Sequence, residues 1–294
     1  KGAHPGKPRD LTALSSKALV ALLADPNQWT RRTARRLLSQ QRDASATALL
    51  LQTLDNTSDP QLALEAFFAL RAGGMLRPPM VARALRHPDP FVRSAAIRSA
   101  GDLENLARDE VLTLLRELCA HEQHPEVVSQ LTSSAQLIAA TQAKLMIVEL
   151  AQRGEFENDP FIPQQLWWAM ESLVTRAPKL AAELLDYSGF WEAPLFEKAL
   201  RERIGRRYMA ERSPGSLLMC ARLLGKAAGT RHLDSLIRGM EKALEGTSLD
   251  PVPGELDAAL ADIWENHRVT DDLIRFSLRL KSPQALAAAR PLLR

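Results

Sequence analysis

The sequence predicts an all-α fold, an α-α superhelix of about eight stacked antiparallel helix pairs, and three observations predict it. Prolines that follow a polar residue recur at Asp25-Pro26, Asp59-Pro60, Asp89-Pro90, His124-Pro125 and Asp159-Pro160, 34, 30, 35 and 35 residues apart. That interval is the length of one helix pair, and a fixed interval marks a repeat architecture. Between the prolines, apolar residues fall at i, i+3, i+4 and i+7, the spacing of one helix face. Composition agrees: Leu, Ala and Arg recur throughout, and aromatics make up only 5% of the 294 residues. Ala and unbranched side chains lose little entropy in a helix, whereas strands favour β-branched and aromatic ones.

The elements follow in order. Asp can accept hydrogen bonds from the free amides of a first turn, and Pro at the first helical position forfeits no bond. Each Asp-Pro therefore reads as a helix start. The first pair joins a helix around 16–24 to one around 28–41, and the second joins 44–55 to 60–72, with Ala63, Ala66, Phe67 and Leu70 on one face. The next three are 78–86 with 90–100, 108–120 with 125–140, and 142–153 with 160–176. Val111, Leu114, Leu115 and Leu118 give the stripe of the fourth pair, and Leu166, Ala169, Met170 and Leu173 that of the fifth. Later pairs are less regular: 178–187 with 192–211, 214–227 with 231–245, and 254–266 with 270–280. Leu217, Cys220, Ala221 and Leu224 carry one of these stripes, and Leu256, Ala259, Leu260 and Ile263 another. A last short helix starts at Ser282-Pro283, and the stretch Gly246 to Gly254 reads as a long loop.

A helix pair of this length cannot bury its stripe alone, so neighbours must stack. The segment Asp89-Pro90-Phe91-Val92-Arg93-Ser94-Ala95-Ala96 resembles the second-helix signature of HEAT repeats, and Trp29-Thr30-Arg31-Arg32-Thr33-Ala34 repeats it two residues later relative to its Pro. The expected organisation is a single HEAT/armadillo-type solenoid over 1–294, regular over 11–176 and less so over 177–294, with 1–10 an N-terminal extension. Residues 1–10 have neither an apolar signal core nor an initiating Met, which suits a fragment or a processed form. No apolar run approaches the roughly 20 residues of a membrane-spanning helix.

The formal charge of +3 is unevenly placed. Residues 1–43 hold Lys1, Lys7, Arg9, Lys17, Arg31, Arg32, Arg35, Arg36 and Arg42 against Asp10, Asp25 and Asp43, a local +6 that leaves −3 for the rest. Catalytic patterns are missing: there is no CxxCH, HExxH, GxxxxGK[ST] or GxGxxG. Cys119, His121 and His124 come nearest to a metal set, but His124 precedes a helix-opening Pro and the set is incomplete. No catalytic, cofactor-binding or metal residue is therefore assigned. Cys119 and Cys220 lie on apolar stripes as buried thiols.

The candidate partner-binding residues are Arg31, Arg32, Arg35, Arg36, Arg93, Arg98, Trp167 and Trp168. Like charges four apart on a helix repel, so the Arg cluster implies a use. One reading is contact with an acidic partner or with nucleic-acid phosphates. The other, preferred because Arg forms bidentate structural pairs, is that Arg31 and Arg93 bridge neighbouring repeats through carboxylates such as Asp25, Asp59 and Asp89. A second cluster, Arg201, Arg203, Arg206 and Arg207, is interleaved with Glu197, Glu202 and Glu211 and reads as a solvated face. Adjacent Trp167 and Trp168 point about 100° apart on a helix, one toward the core and one toward the rim. Trp29, Trp191 and Trp264 read as inter-repeat filler.

The run Leu19-Val20-Ala21-Leu22-Leu23, followed by Asp25-Pro26-Asn27-Gln28-Trp29-Thr30-Arg31-Arg32-Thr33-Ala34-Arg35-Arg36-Leu37-Leu38, resembles the HEAT segment of bacterial putative membrane-bound dehydrogenases. Leu64-Glu65-Ala66-Phe67-Phe68-Ala69-Leu70, His87-Pro88-Asp89-Pro90-Phe91-Val92-Arg93 and Asp159-Pro160-Phe161-Ile162-Pro163 with Leu166-Trp167-Trp168-Ala169 are similar to it too, as is Cys220-Ala221-Arg222-Leu223-Leu224. In that family a β-propeller similar to quinone-dependent sugar dehydrogenases precedes the helices and a c-type cytochrome domain follows. The resemblance implies a non-enzymatic scaffold without a cofactor of its own, set between electron-transfer partners in an extracytoplasmic, periplasmic or membrane-associated protein. Its partners would be proteins, either adjacent domains or a redox partner. The alternative is a base-repair type of nucleic-acid-binding HEAT protein with a basic concave face, against which the mild and localised charge argues.

Overall fold

The computed structural model describes residues 10–41 and 43–293. Of the residues counted in the basic N-terminal segment, Lys1, Lys7, Arg9 and Arg42 lie outside the described residues, as does the N-terminal extension up to residue 9. Every regular element among the described residues is helical, in the order and at the lengths of a helical-repeat array. The chain forms two compact units, 1–142 and 143–294.

The first unit is built from α1 (Ser16–Ala21), α2 (Gln28–Gln41), α3 (Ala44–Asn56), α4 (Pro60–Ala72), α5 (Pro78–Leu85), α6 (Pro90–Asp102), α7 (Asp109–His121) and α8 (Pro125–Ala135). Consecutive helices pair as α1/α2, α3/α4, α5/α6 and α7/α8. The second helices α2, α4, α6 and α8 then pack one on the next, and the first helices stack as α1 on α3 and α5 on α7. The result is two layers with a continuous apolar seam. Ala63, Ala66, Phe67 and Leu70 are all fully buried, as are Val111 and Leu115. Each large side chain so buried stabilises the unit by about 1.5–3 kcal/mol, and no single pair holds enough of them to stand alone.

The repeated prolines work in two ways. Asp59 Oδ1 accepts from the Gln61 amide at 3.0 Å, and Asp89 Oδ1 from those of Phe91 and Val92 at 3.0 and 3.1 Å, each with Pro in the first turn as expected. The Asp25 and Asp159 starts need correction. Asp25 Oδ1 accepts from the Asn27 amide, and Asn27 Oδ1 from that of Trp29, so α2 begins at Gln28 and Asn27 is the capping residue. Asp159 Oδ1 takes the amides of Phe161 and Ile162, and its helix begins at Ile162. In both places Asp-Pro forms the turn before the helix. This explains the two-residue offset of the Trp29 segment: its counterpart of Pro26 is Pro88 and not Pro90.

The second unit contains α9 (Ala140–Ala151), α10 (Ile162–Arg176), α11 (Pro178–Asp186), the short α12 (Ser188–Trp191), α13 (Arg201–Glu211), α14 (Pro214–Ala227), α15 (Leu233–Ala243), α16 (Gly254–Asn266), α17 (Asp271–Arg279) and α18 (Pro283–Ala289). Here α13, α15 and α17 form one row and α14 and α16 the other. The helix expected over 192–211 starts two residues later, at Pro194. The chain turns after Trp191, restarts around Pro194, and passes through a π-helical turn, Phe196–Leu200, into α13. Proline at the first helical position forfeits no bond, so the helix opens there. The Trp191 indole holds the corner by donating to the Leu185 carbonyl at 2.7 Å and lying 5.3 Å from the Phe196 ring. The Cys119 and Cys220 thiols are buried, and burial pushes the Cys220 thiol up to about 12. No described helix is long and apolar enough to cross a membrane.

Candidate partner-binding surface

The second helices carry every candidate residue, and packing divides these residues into two kinds. Arg31 and Arg35 stand one turn apart on α2 and converge on Glu65 of α4, with Arg31 Nε 3.3 Å from Oε1 and Arg35 Nη1 3.0 Å from Oε2. Glu65 is buried, so two arginines answer one desolvated carboxylate. Arg31 Nη1 also donates to the Asp25 and Pro26 carbonyls, at 2.8 and 3.1 Å. Arg93 does the same on α6: it donates to the His87 and Pro88 carbonyls at 2.9 and 2.8 Å and makes a fork to Glu122 at 2.7 and 2.9 Å. Both arginines thus clip one repeat to the next, but through Glu65 and Glu122 rather than Asp25, Asp59 or Asp89, whose carboxylates accept from backbone amides at turns and helix starts.

Glu122 also accepts from the amides of Gln123 and His124, at 3.0 and 2.9 Å. Burial pushes its carboxyl up, but the Arg93 hydrogen bonds and charge, with the two amides, outweigh this and hold it below its ordinary value. A carboxylate lowered in this way contributes stability above its unfolded pKa and loses it as pH falls through the folded one. Glu122→Gln should therefore cost about 2 kcal/mol at pH 7, with the gap to the wild type narrowing in the acid range. Thermal melts of both proteins from neutral to acid pH read this directly, and curves that stay parallel would refute it.

The remaining arginines are free of such duties. Arg32 and Arg36 are exposed on α2 and have no carboxylate partner among the described residues. Arg98 is exposed and lies 3.6 Å from Asp102, whose closer partner is Arg71 at 2.5 Å. Arg35 also lies over the Phe68 ring at 5.6 Å. Trp29 corrects the filler reading, for it is 62% exposed in the first turn of α2. Phe91 and Phe161 each follow by two residues the Asp that accepts their amide, and they are exposed as well. Trp191 stays inside, and Trp264 is half-buried and bonded to Ser277 Oγ at 3.0 Å.

Neither Trp167 nor Trp168 is core: Trp168 is 48% exposed, and Trp167 lines a 350 Å³ cleft with Gln164 and Glu171 of α10 and Arg203, Arg206 and Arg207 of α13. The solvated-face reading of the second Arg cluster therefore fails in part. Arg201 is 3% exposed and contacts His232 and Glu197, while Arg203 and Arg207 are half-buried. Among the described residues no three His, Cys, Asp or Glu side chains converge on a metal site.

No family model and no curated protein sequence matches the chain. Among solved structures, it is similar to the complex of CpcE and CpcF of phycocyanin lyase from Nostoc sp. PCC7120, at 16% identity over 96% of this chain and 99% of that one, with a TM-score of 0.41. A designed armadillo repeat protein in complex with the peptide (KR)4 matches at 13% identity over 91% of this chain and 99% of that one, with a TM-score of 0.29. The helical-repeat assignment itself rests on the packing of the helix pairs.

Proposed function

We propose that the chain is a non-catalytic helical-repeat scaffold that holds protein partners against its second helices. The observation that carries this reading is the surplus on those helices: Arg32, Arg36 and Trp168 are exposed and make no contact that the fold needs. Exposed Trp and Arg are the side chains that most often anchor a protein interface. Within this reading the chain is the spacer between electron-transfer domains of a larger extracytoplasmic redox protein, with no cofactor of its own; the support for that step is the sequence resemblance over residues 10–176.

A photoreactive phenylalanine derivative placed at Trp168, and separately at Leu218 on α14, tests the scaffold. Both positions are exposed, at 48% and 46%, but Leu218 belongs to the other helix row. Adducts to an adjacent propeller or haem-bearing domain from position 168, and none from 218, are expected. Salt-sensitive duplex DNA binding without such adducts would favour the nucleic-acid reading. Against that reading, Arg31, Arg35 and Arg93 already face carboxylates, which interrupts any basic track along α2 to α6.

A further inference from the structure

The α10–α13 cleft combines three features that nothing in the fold requires. Its two walls are single helix faces: Gln164, Trp167 and Glu171 on α10, and Arg203, Arg206, Arg207 and Ala210 on α13. Glu171 and Glu211 lie 3.8 and 2.8 Å from Arg207, which accounts for that arginine. The other neighbouring acids are engaged elsewhere: Glu197 with Arg201 and Arg231, and Glu202 with Lys242. Arg203 and Arg206 are left without a carboxylate among the described residues. Arg203 Nη1 is moreover buried and has no hydrogen-bond acceptor.

We propose that this cleft binds carboxylate side chains from an acidic, aromatic- or aliphatic-bearing segment of a protein partner. The proposal rests on the scaffold reading and narrows it to one class of partner. Guanidinium forks match carboxylates in plane and in charge, and two unpaired forks flank the opening. Trp167 supplies a flat apolar wall beside them. The lining also contains Glu171, which repels a phosphate dianion more strongly than a carboxylate, so a peptide segment fits better than a nucleic-acid backbone. A volume of 350 Å³ lies at the lower end of ligand clefts, about 300–1,000 Å³; it suits a few side chains and not a folded domain.

The test uses the full chain with a short glutamate-rich peptide containing phenylalanine, its glutamine-for-glutamate counterpart, and inorganic phosphate, titrated by calorimetry at low salt. The glutamate peptide should bind and the glutamine peptide should bind at least tenfold more weakly. Arg203→Gln and Arg206→Gln should each weaken binding by about tenfold, whereas Arg222→Gln, on α14 and paired with Asp186, should leave it unchanged. Arg206 is exposed, so its variant folds normally and keeps the test decisive if Arg203→Gln does not. Equal binding of the two peptides, or no loss in the Arg206 variant, would overturn the proposal. Tighter binding of phosphate than of the glutamate peptide would overturn it too and assign the cleft to phosphoryl groups. If the peptides fail while cross-links from position 168 persist, the cleft proposal falls and the scaffold stands.

Discussion

Gly239→Ala should lower the stability of the second unit by about 3 kcal/mol, while the same exchange at Gly225 should raise it by about 0.5–1 kcal/mol. The difference in sign comes from what a β-carbon would meet. At Gly239 on α15 it would lie 1.9 Å from the Glu202 carbonyl oxygen and 3.1 Å from the Arg206 amide of α13. Gly205 faces back across the same crossing, where a β-carbon would meet the Leu236 carbonyl at 2.6 Å. The obstacle in each case is backbone, which cannot swing aside as a side chain can. The two helices would have to separate and open the seam that buries Ile204, Leu236, Ile237 and Met240. Gly225, exposed near the end of α14, has nothing within 4 Å of an added methyl. There the only effect is the lost freedom of the unfolded chain, which favours Ala. Thermal or urea unfolding of the two variants decides the matter. A Gly239→Ala protein as stable as the wild type would mean that α13 and α15 do not cross this closely, and the row α13–α15–α17 would need redrawing.

How much of this was legible beforehand follows from the distance over which each feature is encoded. Helical stripes are local, and Leu166, Ala169, Met170 and Leu173 were read directly from spacing and are fully buried. Asp89-Pro90 was likewise legible, because cap and helix are adjacent in sequence. Asp25-Pro26 is a turn before the helix and not its start, although the helix itself was placed over 28–41 as observed; an Asp in such a turn looks the same as an Asp capping a helix. Trp29 was read as filler, although alignment on His87-Pro88 places it beside exposed Phe91. The partners of Arg31 and Arg93 lie 34 and 29 residues away, and they depend on the register of the next repeat. Nearby Asp residues offered themselves falsely. The cleft was hidden for the same reason. Glu197, Glu202 and Glu211 dilute the second Arg cluster along the chain, yet in space they serve other cations and leave Arg203 and Arg206 free beside Trp167.

His232→Leu should destabilise the second unit by about 3–5 kcal/mol, and adding Arg201→Met to it should restore most of the loss. Arg201 and His232 are 3% and 2% exposed, and a guanidinium Nη1 donates to His232 Nδ1. Arginine has no acceptor, so the ring must be the tautomer with Nδ1 bare and a proton on Nε2, and that proton goes to Glu192 Oε1 at 2.9 Å. Arg231 and Glu197 complete the cluster, with Arg231 3.1 Å from Glu192 and Glu197 3.3 Å from Arg201. Burial lowers the Arg201 pKa, against the opposing charge of Glu197, and its Nε already lacks a partner. Taking away the imidazole removes a second acceptor from a buried cation, which is the costly way to break such a cluster. Replacing both members with apolar side chains removes the cation as well, and a packed Met–Leu pair beside Trp191 and Phe196 needs no acceptor. Urea unfolding of the two single variants and the double variant forms a closed cycle. If the losses simply add, Arg201 is not held by His232, and the join between α13 and the start of α15 depends on apolar packing alone.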